Sequence, residues 1–228
     1  MKLSVVIPCL NEKRTLAITI GMAKDLVESI GGSGEVVVAD NGSTDGSQRI
    51  AVGCGARVVN VAERGYGNAL KGGISRSEGD IIVMGDADST YDFREAKVLV
   101  ESVENGADLA MGSRLKGDIE DGAMPFLHRY FGTPALSFVI RLLFRIPISD
   151  CNCGMRAFTR KAYERMKLKS GGMEFASEML CRAATEKMTV TENPISLRRD
   201  PRERDPHIRT WRDGFRHLVL ILKLYLTQ

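Results

Sequence analysis

The sequence predicts an α/β fold in which a mostly parallel sheet is flanked by helices. Three observations carry that reading. The first 115 residues alternate short β-branched runs with segments of helical spacing. The strand runs are apolar on both faces, as strands covered from two sides are. Each run also gives way to a polar or glycine-containing turn, and open α/β sheets bind ligands beyond the carboxyl ends of their strands.

Leu3–Ile7 (LSVVI) is the first strand, closed by Pro8. Glu12 to Ile30 carries Leu16, Ile20, Ala23, Val27 and Ile30 at helical spacing, with Gly31-Gly32 as its stop. Glu35–Ala39 (EVVVA) is the second strand and Ser47–Val52 a short helix. Arg57–Val61 is the third strand, Asn68–Ser77 a helix and Asp80–Met84 (DIIVM) the fourth strand. Phe93–Glu104 is a helix stopped by Gly106, and Asp108–Met111 the fifth strand. After residue 115 the pattern changes. Gly117–Gly122 is a polar loop and Pro125–Phe144 one long apolar helix dotted with arginine. Glu174–Lys187 is a helix and Thr189–Pro194 a strand. Arg198–Arg209 is a charged loop, and Thr210–Leu226 a C-terminal amphipathic helix.

Composition bounds the function. Of 228 residues 43% are hydrophobic and 27% charged, which excludes a disordered, collagenous or disulfide-scaffold chain. A net charge of +3 is too weak to argue for nucleic acid, and none is expected as a partner. Five cysteines without metal-finger spacing read as reduced, mostly buried thiols of a cytoplasmic protein. Leu3–Ile7 is shorter than a signal-peptide core. No stretch reaches the roughly 18–20 apolar residues that span a bilayer, so no transmembrane anchor is expected within this chain.

The chemistry sits after the strands. Asp86 and Asp88 follow the fourth strand as D-x-D. Residues i and i+2 of an extended chain point the same way, so the two carboxylates repel unless a cation joins them. A hard ion, Mg²⁺ or Mn²⁺, suits such oxygens and bridges to phosphates. The alternative is a solvated turn. Asp40 ends the second strand and can accept from a nucleobase N–H or a ribose hydroxyl. An Asx turn through Asn41-Gly42, with Ser43 or Thr44 capping the next helix, is compatible with that role. Arg64-Gly65-Tyr66-Gly67 opens a helix and could admit a phosphate to its N-terminus. It fits neither G-x-G-x-x-G nor the P-loop, and a plain helix entry explains it nearly as well.

VVIPCLNE, VVVADNGSTDGS, RGYGNALKGG, IIVMGDADSTYDF and MGSR occur in that order. Together they resemble the family 2 glycosyltransferases of the GT-A fold. DCNCGMRAF and MEFASEMLCRA extend the resemblance to the dolichyl-phosphate (polyprenyl-phosphate) hexose synthases, over nearly all of residues 3–220. The resemblance implies one GT-A domain over 1–228, with a nucleotide-sugar-binding half (1–115) and an acceptor and membrane-facing half (116–228). It implies that Pro8, Asn11, Glu12, Asp40, Asn41, Arg64, Gly67, Asp86 and Ala87 bind the nucleotide sugar. It implies Asp86 and Asp88 as ligands of Mg²⁺ or Mn²⁺, and Asp88, Arg114, Arg156 and Glu174 as the catalytic set. Arg114 and Arg156 would receive a lipid phosphate, for which guanidinium is suited. Thr90 stands where some mannose-transferring relatives carry Gln. The loop 198–209 lacks a Ser-Lys-Leu element, for which Arg202, Arg204 or Arg209 could substitute.

The implied reaction is inverting transfer of a hexose from a nucleotide sugar, UDP-glucose favoured, to a polyprenyl phosphate at the cytoplasmic face of a membrane. Transfer from GDP-mannose, or to a non-lipid saccharide, are the alternatives. The 125–146 segment mixes Phe and Leu with His128, Arg129, Arg141 and Arg145, a composition suited to an interfacial helix on anionic lipid. A core helix with snorkelling arginines is the competing reading. A sugar-1-phosphate nucleotidyltransferase would need a Gly-rich first turn, and PCLNEKRT has no Gly. A dinucleotide-dependent dehydrogenase fails on the same turn. The sequence is silent on oligomeric state.

Overall fold

The computed structural model of the chain describes residues 2–202 and 210–227. Seven strands form one sheet: β1 (Leu3–Cys9), β2 (Gly34–Asp40), β3 (Arg57–Asn60), β4 (Ile81–Met84), β5 (Leu109–Ser113), β6 (Arg156–Thr159) and β7 (Val190–Pro194). Their order across the sheet is β3-β2-β1-β4-β6-β5-β7. All pairings are parallel except those of β6, which runs antiparallel to both β4 and β5. Helices α1 (Leu16–Ser29), α2 (Ser47–Gly53), α3 (Tyr66–Ser75) and α4 (Lys97–Glu104) alternate with the first five strands. α5 (Thr133–Phe144), α6 (Arg160–Met166), α7 (Phe175–Thr185) and α8 (Thr210–Leu226) complete the chain.

The expected alternation is present, and strand residues divide between two cores. Val5, Ile7 and Val38 pack with Leu16, Ile20 and Leu99 on one face. Val6, Val37 and Ile82 pack with Leu70, Phe158 and Met179 on the other. Both faces of β1 are therefore buried, which is why its sequence is an unbroken apolar run.

Four expectations are corrected. β1 continues through Pro8 to Cys9 rather than closing at Ile7. Its ladder with β4 ends at Val6, so Pro8 lies past the point where that pairing needs an N–H. The Pro125–Phe144 helix is divided: a π-helical turn spans His128–Gly132, and α5 starts afresh at Thr133-Pro134, where proline suits a first helical turn. β6 and α6 were absent from the sequence reading. RAFT is four residues long, opens on an arginine and carries no alternation, so it gives no strand signal. Neither Ser43 nor Thr44 caps α2; Asp45 accepts from the backbone N–H and hydroxyl of Ser47 instead.

Because β1, β2, β4 and β5 run in one direction, the turns after them share one edge of the sheet. Cys9 lies opposite Asp40 in the β1–β2 register. The segment inserted between β5 and β6 returns to that edge and adds residues 149–155.

Candidate functional site

The first wall is made of the β1 and β2 turns bound to each other. Asn11, at φ 59°, donates its backbone N–H to Ser43 Oγ (2.9 Å) and accepts at Oδ1 from Thr44 N–H (2.8 Å). Glu12 N–H donates to Ser47 Oγ at 2.9 Å. Pro8 lies at the buried end of β1.

Asp40 is 1% exposed. Its Oδ2 accepts three hydrogen bonds: from the N–H of Gly42 (3.0 Å), the N–H of Ser43 (3.0 Å) and Gln48 Nε2 (2.6 Å). Its Oδ1 is buried with no hydrogen-bond partner among the described residues. A buried carboxylate oxygen without a donor is costly, and an incoming N–H or O–H removes that cost. Gly42 supplies the left-handed φ of 88° that lets the turn fold back on Asp40. The Arg64 guanidinium lies over Gly42, about as close as a Cβ there would allow (3.1 Å).

Two expected nucleotide contacts have other work. The Asn41 side chain donates to Val61 O (3.0 Å) and Glu63 O (2.8 Å) and accepts from Gly65 N–H (2.8 Å). All of that hydrogen bonding ties the 61–65 segment to the end of β2, so Asn41 builds the wall rather than facing a ligand. Gly67 is buried, and a Cβ on it would meet Ser170 O at 2.5 Å and Phe175 Cβ at 2.9 Å. Asn68 N–H donates to Gly171 O at 3.1 Å. The glycines at the start of α3 therefore admit the 170–171 backbone, and a protein carbonyl takes the Asn68 N–H at this helix end, as the plain helix entry would have it. Glu178 holds that loop in place by accepting from Lys169 and Ser170 N–H.

The D-x-D lies beyond β4. Asp88 Oδ1 accepts from Thr90 N–H (3.0 Å) and Thr90 Oγ1 (2.7 Å), so Thr90 steadies Asp88. Ala87 is buried, and its carbonyl accepts from Thr19. Asp86 is pushed up to about 7 by desolvation and by the Asp88 charge, against a hydrogen bond with the Tyr66 phenol. The Tyr66 phenol is itself raised by burial and by the neighbouring Asp86 charge. A Cβ on Gly154 would stand 2.5 Å from Asp86 Oδ2, so the chain closes tightly on this carboxylate.

These residues fit a hard divalent cation. The donors are carboxylate oxygens, and their mutual repulsion shows in Asp86. A cationic group is already drawn there: Arg202 Nη2 lies 3.0 Å from Asp88 Oδ2, while Nη1 lies 2.6 Å from Glu12 Oε1. No cluster of three or more His, Cys, Asp or Glu suited to a metal occurs among the described residues. Two carboxylates leave most coordination positions to water and phosphate, as Mg²⁺ commonly requires. Arg202 is also paired with Asp200 at 2.6 Å. Arg204 and Arg209, the other two substitutes considered for the missing loop element, lie outside the described residues.

Beyond β5, Arg114 is held by Asp150 through three bonds: N–H to Oδ2 (3.0 Å), Nε to Oδ2 (2.7 Å) and Nη2 to Oδ1 (2.7 Å). Asp150 is fully buried, and Glu192 fixes its turn by accepting from Ser149 and Asp150 N–H. Burial opposes the Arg114 charge, but Tyr91 and Asp150 outweigh it and raise its pKa, so it stays cationic. Arg114 also acts electrostatically on both Asp86 and His128, and burial together with Arg114 lowers the His128 pKa. Arg114 thus lies within electrostatic reach of both Asp86 and His128.

Arg156 corrects an expectation. It is fully buried, and its guanidinium donates to Cys153 O (3.1 Å), Ala176 O (2.6 Å) and Cys151 O (2.8 Å). It braces the 151–153 turn against α7 from beneath and has no exposed face with which to receive a phosphate. Glu174, at the start of α7, pairs with Arg216 of α8 at 2.7 Å. Tyr66, Tyr91, Gln48, Asp150, Glu178 and Glu192 were missed by the sequence reading. Tyr66, Tyr91, Asp150 and Glu192 act across a long sequence separation, whereas Gln48 and Glu178 act over eight or nine residues from helix positions that carry no motif.

The 126–142 segment is exposed and apolar: Phe126 (69%), Tyr130 (55%), Phe131 (58%), Phe138 (55%) and Leu142 (64%). Arg129 lies over Tyr130 and Arg141 over Phe138. On α8, His217, Ile221 and Leu224 face inward, and Phe215, Val219, Leu222 and Leu226 form an outer stripe. Among the described residues no helix is long and apolar enough to cross a membrane.

Comparison with known proteins shows the family and the fold. The chain is 44% identical over 221 residues to the low-salt glycan biosynthesis hexosyltransferase Agl6 of Haloferax volcanii, covering 96% of this chain and 53% of that protein. It thus spans about half the length of that relative. It is 28% identical over 197 residues to a dolichyl-phosphate hexose transferase of the same organism, covering 86% of this chain and 82% of the relative. Its fold matches glucosyl-3-phosphoglycerate synthase from Mycobacterium tuberculosis, solved with Mn²⁺, UDP-glucose and phosphoglyceric acid. The TM-score is 0.79 at 21% identity, over 98% of this chain and 79% of that one. The profile of the family described as Glycosyl transferase family 2 matches residues 4–167. The chain belongs to glycosyl transferase family 2, and its fold is of the GT-A kind.

Proposed function

We propose that this glycosyltransferase moves a hexose from UDP-glucose to a polyprenyl phosphate, with inversion at the anomeric carbon, at the cytoplasmic surface of a membrane. One observation carries the reading. Arg114, held by buried Asp150, acts on Asp86 at the donor side and on His128, next to the exposed aromatic and arginine face. A fixed cation within electrostatic reach of the D-x-D carboxylate and of the segment carrying the exposed aromatic surface suits an acceptor whose phosphate is polar and whose tail is not. The resemblance to a dolichyl-phosphate hexose transferase supports the same acceptor.

The chemistry asks little of a general base. A phosphate monoester at neutral pH already carries about 1.5 to 2 negative charges. It must be brought beside an anionic donor and aligned with the anomeric carbon. Arg114 would bind it, and Asp150 keeps the guanidinium fixed in direction. Asp40 and the bound turns of β1 and β2 would hold the nucleotide. Asp86 and Asp88 would hold a divalent cation, which supplies charge neutralisation on the departing diphosphate. Glu174 would act through its pair with Arg216, and Arg202 through its contacts with Glu12 and Asp88. Arg156 would act by position, fixing the 151–153 turn beneath the site. In this arrangement residues 1–115 serve the donor, Arg114 excepted, and 116–228 the acceptor and the membrane.

The test is a transfer assay on the purified full chain with Mg²⁺ or Mn²⁺, a panel of sugar nucleotides and a short polyprenyl phosphate. Formation of a β-linked glucosyl lipid is expected, and Asp88→Ala should abolish it in a folded protein. Label passing to a free saccharide, or hydrolysis of the donor alone, would refute the acceptor. Preferential use of GDP-mannose would refute the donor.

A further inference from the structure

We infer that Lys116 is a second cation of the acceptor site, held by buried Glu192 as Arg114 is held by buried Asp150, so that the acceptor phosphate meets two positive groups rather than one. The inference rests on the proposed phosphate acceptor and deepens it.

Two carboxylates are buried at one turn, each against one cation. Arg114 Nε lies 2.7 Å from Asp150 Oδ2, and Lys116 Nζ lies 2.7 Å from Glu192 Oε2. The turn joins the two pairs. Glu192 Oε1 accepts from Ser149 N–H (2.7 Å) and Asp150 N–H (2.9 Å), and its Oε2 accepts from Ser149 Oγ (2.9 Å). Burying two carboxylates so close together is unfavourable unless each is compensated. The compensation is not symmetric about the surface. The Asp150 and Glu192 side chains are 0% and 2% exposed, whereas those of Arg114 and Lys116 are 13% and 47% exposed. Both pairs therefore turn their positive ends outward and keep their negative ends inside.

That arrangement matches a phosphate monoester, which carries about 1.5 to 2 negative charges at neutral pH. Arg114 alone is a poor match, because its Nε and Nη2 already serve Asp150. The Lys116 ammonium has three N–H donors, and Glu192 is its one ion-pair partner among the described residues. Arg114 and Lys116 stand two residues apart, with Leu115 packed against the core between them. From 122 to 149, the segment that includes the exposed aromatic face, the chain has no Asp or Glu to repel an anion. Neutralising Glu192 alone would be a structural role for Lys116, and removing the Glu192 charge separates the two roles.

The experiment measures KM for a short polyprenyl phosphate and for the sugar nucleotide in the transfer assay on the full chain. The proteins are the wild type, Lys116→Arg, Lys116→Met, Glu192→Gln, and Lys116→Met combined with Glu192→Gln. Lys116→Met should raise the acceptor KM by at least ~tenfold and leave the donor KM within about twofold, as loss of a charge-assisted contact to one substrate does. Lys116→Arg should keep the acceptor KM within about threefold of the wild type. Gln at 192 still accepts from Ser149 and Asp150 N–H, so the double variant keeps the turn without either charge. Its acceptor KM should stay at least ~tenfold above that of Glu192→Gln. Geranyl phosphate and its methyl ester, which carries one charge fewer, serve as inhibitors. The wild type should favour the monoester by at least ~tenfold, and the double variant should reduce that preference by about threefold or more. A double variant equal to Glu192→Gln in acceptor KM and in inhibitor preference overturns the inference, because Lys116 then serves Glu192 alone. A parallel rise of donor and acceptor KM in folded Lys116→Met also overturns it. Both of these outcomes leave the acceptor reading standing. A wild type that transfers nothing to polyprenyl phosphate overturns both. The double variant and the inhibitor pair hold even if Lys116→Met alone fails to fold.

Discussion

The guanidinium of Arg202 lies 3.0 Å from the carboxylate of Asp88, on the carboxylate pair that would hold a metal. The same guanidinium reaches Glu12 at 2.6 Å, and its side chain is 9% exposed. A fixed organic cation and a divalent ion compete for the same oxygens. Replacing Arg202 by Gln should therefore strengthen Mn²⁺ binding in the absence of nucleotide by about three- to tenfold, corresponding to about 1 kcal/mol of competing charge-assisted bonding. Electron paramagnetic resonance of free Mn²⁺ during titration reads this directly. Weaker Mn²⁺ binding in Arg202→Gln would show that Arg202 supports the cation site rather than competing for it.

Asp86 should make the metal-free protein less stable as the pH rises. Its folded pKa of about 7 lies above the ordinary value of 3.8, through desolvation and the Asp88 charge. Between those values the folded chain keeps a proton that the unfolded chain releases, so this contribution is present below about pH 4 and is lost as pH rises through 7. Asp86→Asn stays neutral throughout and can still accept from Tyr66. Its advantage over the wild type in urea unfolding should grow from about pH 4 and level off above about pH 7, at about 1–3 kcal/mol. An advantage independent of pH would contradict the account.

Asp150 should matter to both stability and transfer. It is fully buried and supplies both carboxylate oxygens to Arg114. Asp150→Ala leaves the Arg114 charge, 13% exposed, without its partner, which costs about 3–5 kcal/mol for a buried pair. Asp150→Asn keeps one acceptor and should lose less. Urea unfolding measures the first effect, and kcat with saturating donor should fall by at least ~tenfold in Asp150→Asn. Normal turnover in a folded Asp150→Asn protein would separate Arg114 from the reaction.

Gly67→Ala should destabilise the protein through packing alone. The added methyl meets Ser170 O and Phe175 Cβ, and overpacking of this kind costs about 1–3 kcal/mol. Nucleotide affinity should be nearly unchanged wherever the variant is folded. A selective loss of nucleotide binding at normal stability would restore the helix start as a phosphate site.

The exposed aromatic face should bind anionic lipid. Phe131→Ser with Phe138→Ser removes two side chains that are 58% and 55% exposed and not part of the core. Binding to vesicles containing phosphatidylglycerol should weaken by at least ~tenfold, since each ring contributes about 1–2 kcal/mol at an interface. Thermal stability should stay nearly constant. Vesicle binding equal to that of the wild type would leave the acceptor's route to the site without a surface.

The sequence by itself determined the alternation of β1 to β5 with α1 to α4 and the shared edge that gathers Asp40, Asp86, Asp88 and Arg114. These are local facts: apolar runs of strand length, helical spacing, and polar turns directly following. Tertiary structure decided what those residues face. Arg156 reads as a basic residue next to a motif, yet the insertion of β6 between β4 and β5 buries it completely. Asn41 and Gly67 read as ligand contacts, yet they join segments 20 or more and about 100 residues distant. Asp150 and Glu192 carry no pattern of their own, because a buried carboxylate gains its meaning from the cation or N–H groups folding brings to it. Periodicity reports which side of an element is buried; it does not report which distant group completes a hydrogen bond, and that pairing decides the chemistry of this site.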